Sequence, residues 1–167
     1  MSNVVYLISS LPSLTFGQEP PILLDDFHSE AKAQLSSKNF NKLKALDLKN
    51  ISKAESGKLK IFIEVIEQLH TDLIEIRNAK SNDRSPVVTI LPKTVQEQNP
   101  LEREKSIMKW QWEQLSNIDS GEAFTFIEVL VYKLKLQILH RLYSFDTEKG
   151  LEILKSVVEP SQKVEEK

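Results

Sequence analysis

Three histidines, His28, His70 and His140, are the side chains best suited to metal ligation or to proton transfer near neutral pH. They lie far apart, and none belongs to an H-x-x-x-H pair that would set two imidazoles on one helical face. Asp25-Asp26 has the composition of a carboxylate pair for acid–base work. Adjacent helical residues diverge by about 100°, however, so these two carboxylates better suit the positive end of a helix, in its first turn. Glu128, Lys135 and His140 would serve an enzyme only if the fold made them converge with groups from other helices. Cysteine is absent, which removes disulfides, thiolate zinc sites and a cysteine nucleophile. No G-x-x-x-x-G-K-[ST], G-x-G-x-x-G or G-x-S-x-G stretch occurs. The expectation is a chain that is not an enzyme, with no metal and no cofactor.

The remaining chemistry is that of surfaces, and helices must position it. The 167 residues fit one domain, or one domain with a small appendage, and 40% apolar content suffices for a core. A net charge of −2 gives no general attraction to nucleic acid. With only four glycines and an abundance of Lys, Glu, Leu and Ile, the chain reads as mainly α, a helical bundle of about six helices with a short N-terminal extended segment. The most apolar stretch, Ala123 to Leu142, is interrupted by Glu128, Lys133, Lys135, His140 and Arg141. A spanning helix needs about 20 mostly apolar residues, so no direct membrane insertion is expected.

"VVYLISSLPSLTFGQEPP" opens the chain without a basic n-region, and Pro12 cuts its apolar run short. It is expected to be retained rather than cleaved as a secretion signal, and to pack beside the helices. Its Val4, Val5, Tyr6 and Ile8 read as a short strand or extended arm. Two helices follow: "ILLDDFHSEAKAQL", and "SSKNFNKLKALDL" capped by Ser36 or Ser37. A third holds the stripe Leu59, Phe62, Ile63, Ile66, Leu69, Leu73 and Ile76, with Ser52 and Glu55 in a capping-box pattern before it. Residues 1–78 form an N-terminal segment and first helical half. Residues 79–98 read as a linker in which "VVTIL" (Val87 to Leu91) is either a short strand or part of a mobile connection.

Residues 99–159 form a second helical half and 160–167 a tail. Asn99 and Pro100 suit a helix start, and Leu101, Met108, Trp112 and Leu115 form its stripe. A longer helix is expected from Gly121 to Tyr143, and a last one follows Asp146. The longer helix carries two apolar arcs. Phe124, Ile127, Val131, Leu134, Ile138 and Leu142 form one; Val129, Tyr132, Leu136, Leu139 and Tyr143 form the other. Glu128 and Lys135 lie between them, and Lys133, Gln137, His140 and Arg141 make a polar face. Two arcs require two packing partners, either two neighbours in the same bundle or one neighbour and another protein. The partner-binding candidates are Trp110, Tyr132, Lys133, Lys135, Arg141 and Tyr143.

"YLISSLPSLTFGQEPPILLDDF", "NPLEREKSIMKWQWEQL" and "VLVYKLKLQILHRLYSFDTEKGLEIL" together resemble an uncharacterised bacterial family encoded among the genes of bacterial V-type (A/V-type) ATPases, notably in Bacteroidetes. The last stretch is also loosely similar to the socket component of V-type ATPases, a helical protein between the central rotor and the membrane ring. The resemblance implies a non-catalytic accessory or stalk-like component, cytoplasmic or peripheral to the inner membrane through a complex. Its partners would be V-type ATPase subunits, with no nucleic acid, and its role would be in assembly or coupling of ATP-driven ion transport. The alternative is a stand-alone helical protein-interaction adaptor.

Overall fold

The computed structural model describes residues 3–49 and 57–145, and within them the chain is a helical bundle without strands. The helices are α1 (Val4–Ser10), α2 (Leu24–Gln34), α3 (Ser37–Ala45), α4 (Lys58–Ser81), α5 (Lys93–Gln96), α6 (Pro100–Asp119) and α7 (Phe126–Tyr143). α7 is the central element: α6 packs closely against it, and α1, α2 and α3 pack on it as well. α4 packs on α6, and one continuous core joins Leu7, Phe27, Leu43, Ile66, Leu115 and Leu134.

The N-terminal segment is ordered and packed, but as a helix rather than an extended strand. Asn3 supplies the cap, its side chain accepting from Tyr6 N at 3.0 Å. Leu7 is fully buried, and Val4, Ile8 and Leu11 pack against the core beside it, a helical i, i+3, i+4, i+7 set. That burial outweighs the β preference of the branched residues, which have no neighbouring strand to pair with. Pro12 then stops the helix, with Leu11 already in an extended conformation.

Other sequence signals produce what they encode. Ser36 caps α3 by accepting from Asn39 N, and Asn99 caps α6 by accepting from Glu102 N at 2.9 Å, with Pro100 in the first turn. The α4 stripe is buried at Leu59, Phe62, Ile63, Ile66, Leu69 and Ile76. Gly57 stands at its N-cap with φ 74°, a conformation that suits glycine. The Ser52/Glu55 pattern, the Asp146 cap and the last helix lie outside the described residues.

α7 starts later than its periodicity predicts. Gly121 to Thr125 form a turn, and Phe124, expected on an apolar arc, is 56% exposed with φ 58°. Glu128, in the first turn of α7, folds back to accept from Phe124 N, which holds the chain outside the helix there. From Val129 onward both arcs are filled by the chain itself: Val129, Leu136 and Leu139 are as buried as Val131, Leu134 and Ile138. The two arcs serve neighbours within the same bundle.

Candidate functional site

The six side chains picked out by sequence share α6 and α7 but not one surface. Lys133 departs furthest from expectation. It is only 2% exposed rather than on a polar face. Its ammonium donates to the carbonyls of Leu43 (2.7 Å) and Lys44 (3.3 Å), and to that of Leu46. These are carbonyls of the last turn and C-cap of α3, where the helix leaves acceptors unpaired and its dipole is negative. Burial pushes the Lys133 pKa down, and the Asp47 carboxylate pulls it back up. One turn along α7, Gln137 accepts from Leu48 N (3.2 Å) and donates to Asp47 (3.0 Å). Lys133 and Gln137 thus grip the end of α3 from the centre of the bundle, and Lys133 is withdrawn from any partner.

Tyr132 is likewise used internally. Its hydroxyl donates to Pro12 O at 2.8 Å, and its ring lies 5.4 Å from that of Phe27. Burial raises its pKa well above the usual phenol value. Lys135 pairs with Asp119 at 2.9 Å and sits over the Trp112 ring, which also packs tilted against the Phe16 ring. Trp110 is half-buried against the core, and Tyr143 is half-buried near the end of α7. Arg141 is the exposed member. It holds Glu104 through two hydrogen bonds (2.7 and 3.2 Å) and stacks over Phe145. Removing it as Arg141→Ala is expected to shift unfolding free energy by less than about 1 kcal/mol, because exposed ion pairs are weak; denaturant titration measures this directly.

Glu128, Lys135 and His140 do not share a bonding partner. Glu128 accepts from Phe124 N, Lys135 binds Asp119, and His140 Nε2 lies 2.9 Å from Ile22 O. No group of three His, Cys, Asp or Glu side chains among the described residues is arranged to hold a metal ion.

Sequence reasoning missed Asp72. It sits on the buried stripe of α4, three residues after Leu69 and four before Ile76, and a carboxylate in that register is the signal that was available. Its oxygens accept from the backbone N–H groups of Thr89 (3.0 Å), Ile90 (2.8 Å) and Leu91 (3.1 Å), and from Gln68. Nearby, Glu75 accepts from Val87 N (3.1 Å) and holds the Arg84 guanidinium (2.9 Å). "VVTIL" therefore forms neither a strand nor a loose connection. The amides of Val87, Thr89, Ile90 and Leu91 are bound to carboxylates of α4, and Leu91 is buried. Downstream, Arg103 donates to the carbonyls of Val95, Gln96 and Gln98, joining the end of the connection to α6.

Burial pushes the Asp72 pKa up, but the N–H donors of Ile90, Thr89, Gln68 and Leu91 outweigh it, and the net value is lowered from 3.8. Glu75 is lowered from 4.5 to about 2 by Arg84 and then by Val87 N–H. A carboxylate whose pKa falls on folding stabilises the fold fully above its unfolded value and loses that contribution as pH drops below it. Stability is therefore expected to decline below about pH 4 through these two groups, and Asp72→Asn should reduce the slope. Denaturant titrations across that range measure both.

A profile of the family described as "Protein of unknown function (DUF2764)" matches residues 71–163, more than half of the chain. The match takes in the second half of α4, the clamped connection, α6 and α7. No curated protein and no solved structure matches the chain.

Proposed function

We propose that this chain, which belongs to the DUF2764 family of proteins of unknown function, is a non-catalytic accessory or stalk-like component of a bacterial V-type ATPase. In this role it contributes to assembly or to coupling, while ATP chemistry and ion passage take place on other subunits. One structural observation supports the scaffold part of the reading. The buried charges, Asp72 and Lys133, bind main-chain groups of neighbouring segments and so fix helices and connections in place. That use of buried charge gives a defined shape for carrying surface to a partner. The sequence resemblance supports the choice of partner. No helix among the described residues is long and apolar enough to cross a membrane, so attachment would run through other subunits.

Arg141, exposed at the end of α7, is the member of the expected contact set that best suits a partner. The role is tested in membrane vesicles from the host after deletion of the gene. ATP-driven ion uptake should fall and return on complementation, with the catalytic subunits still present in the cell. Unchanged uptake would reject the role.

A further inference from the structure

We infer that His28 is the trigger of an acid-sensitive latch: a neutral ring lets α2 and α3 close on α7, and a second ring proton loosens that junction. Nε2 of His28 is buried without a hydrogen-bond partner, alone in this among the described side chains. The ring stands against that of Phe27, with centroids 5.7 Å apart. Phe27 is fully buried and meets the Tyr132 ring of α7. A neutral imidazole carries one N–H, whereas both nitrogens of an imidazolium are donors. Whichever nitrogen holds the first proton, the charged ring leaves an N–H at Nε2 with no acceptor. An unpaired buried donor is costly, and more so when it is charged.

The surrounding charges add to that cost. α2 packs on α1, α3 and α7. α7 brings Lys133 and α3 brings Lys44, and both oppose a proton on His28. Lys133 is held as an ammonium, because its three carbonyl contacts take all three of its N–H donors. α1 brings no charged side chain, and its Tyr6 is exposed. Beyond α3, Asp47 is bonded by Gln137 and acts on Lys133. On α2 itself Asp25, one turn earlier, favours the proton, while Lys32, one turn later, has the opposite sign. Asp26 and Glu30 are two residues away on either side, turned by about 200°. Burial acts most strongly, then Lys133, and the His28 pKa lies below its ordinary 6.5.

A base whose pKa falls on folding contributes stability that is complete above its unfolded value and shrinks as pH drops through it towards the folded value. For His28 that loss begins near pH 6.5, well above the range in which Asp72 and Glu75 act. The latch does not depend on a V-type ATPase partner. Its opening would free α2 and α3 from α7, while α4 keeps its contact with α6.

Amide exchange of the full chain at pH 7.5 and 5.5, corrected for the intrinsic pH dependence of exchange, tests the latch. Protection in α2 and α3 should fall at least about threefold on acidification, and protection in α4 by less. The wild-type His28 ring, followed by NMR, should titrate below its value in the urea-unfolded chain. His28→Phe keeps a ring with nothing to titrate, and should remove the extra loss. His140→Gln should retain it, which separates His28 from the other imidazole beside α2, whose Nε2 lies 2.9 Å from Ile22 O. Three results would overturn the inference: a His28 ring that titrates at or above its unfolded value; protection in α2 and α3 that falls no more than in α4; or a loss that persists in folded His28→Phe or disappears in folded His140→Gln. If His28→Phe fails to fold, the wild-type ring titration decides alone.

Discussion

Lys133→Met is expected to lower the unfolding free energy by about 3 kcal/mol, which for a domain of this size corresponds to a fall in Tm of roughly 6–12 °C. Methionine fills much of the same volume, so little of the loss comes from a cavity. The loss arises at the acceptors left behind. The ammonium donates to the carbonyls of Leu43, Lys44 and Leu46 at the end of α3, and with methionine these lose their donor while the bundle still covers them. Replacing a whole buried polar pair with apolar groups is often harmless, but removing one partner is not. The neighbouring Lys135→Met gives the contrast. Lys135 pairs with Asp119, whose side chain is one-third exposed and can be hydrated, so this change should cost less than half as much. Paired denaturant titrations of the two variants decide the matter. Equal losses, or a loss below about 1 kcal/mol for Lys133→Met, would mean that Lys133 does not hold α3.

Asp72→Ala should release the connection between α4 and α6. The carboxylate accepts three backbone N–H groups within a run of three residues, and alanine offers no acceptor in its place. Hydrogen bonds to a charged acceptor contribute roughly 1.5–3 kcal/mol each, so amide exchange at Thr89, Ile90 and Leu91 should accelerate by about 10- to 100-fold. Global stability should fall as well, because Leu91 is part of the core that this clamp closes. Asp72→Asn keeps one acceptor oxygen and should fall between wild type and Asp72→Ala. The location of the effect distinguishes a clamp from general destabilisation. Amides in the middle of α7 should accelerate only as far as the global loss requires, while Thr89 to Leu91 should exceed that. A uniform acceleration across the chain would refute the clamp.

The helices were legible because their signals are local. Ser36 and Asn99 stand where caps belong, and the stripes of α4 and, from Met108 onward, of α6 are buried at helical spacing, although Leu101 at the start of α6 is exposed. The N-terminal segment misled because Val4, Val5 and Ile8 carry β preference, whereas the spacing of Val4, Leu7, Ile8 and Leu11 is helical and burial follows spacing. Periodicity starts α7 too early because Phe124 continues the apolar period, and the return of Glu128 to Phe124 N leaves no periodic signal. The candidate contacts were the least legible. A lysine in a helical sequence reads as solvated, and only tertiary structure shows that Lys133 faces the open end of α3, 90 residues earlier. Asp72 depends in the same way on amides 17 to 19 residues later. Long-range polar pairing leaves little trace in a single sequence beyond a charge in an apolar register.

Purification of the tagged chain from gently solubilised membranes of its native host, with identification and stoichiometry of what accompanies it, tests the proposed role most directly. The account predicts V-type ATPase subunits in fixed ratio to the chain. The tagged chain recovered alone, or with unrelated proteins in place of those subunits, would contradict it and favour a stand-alone adaptor.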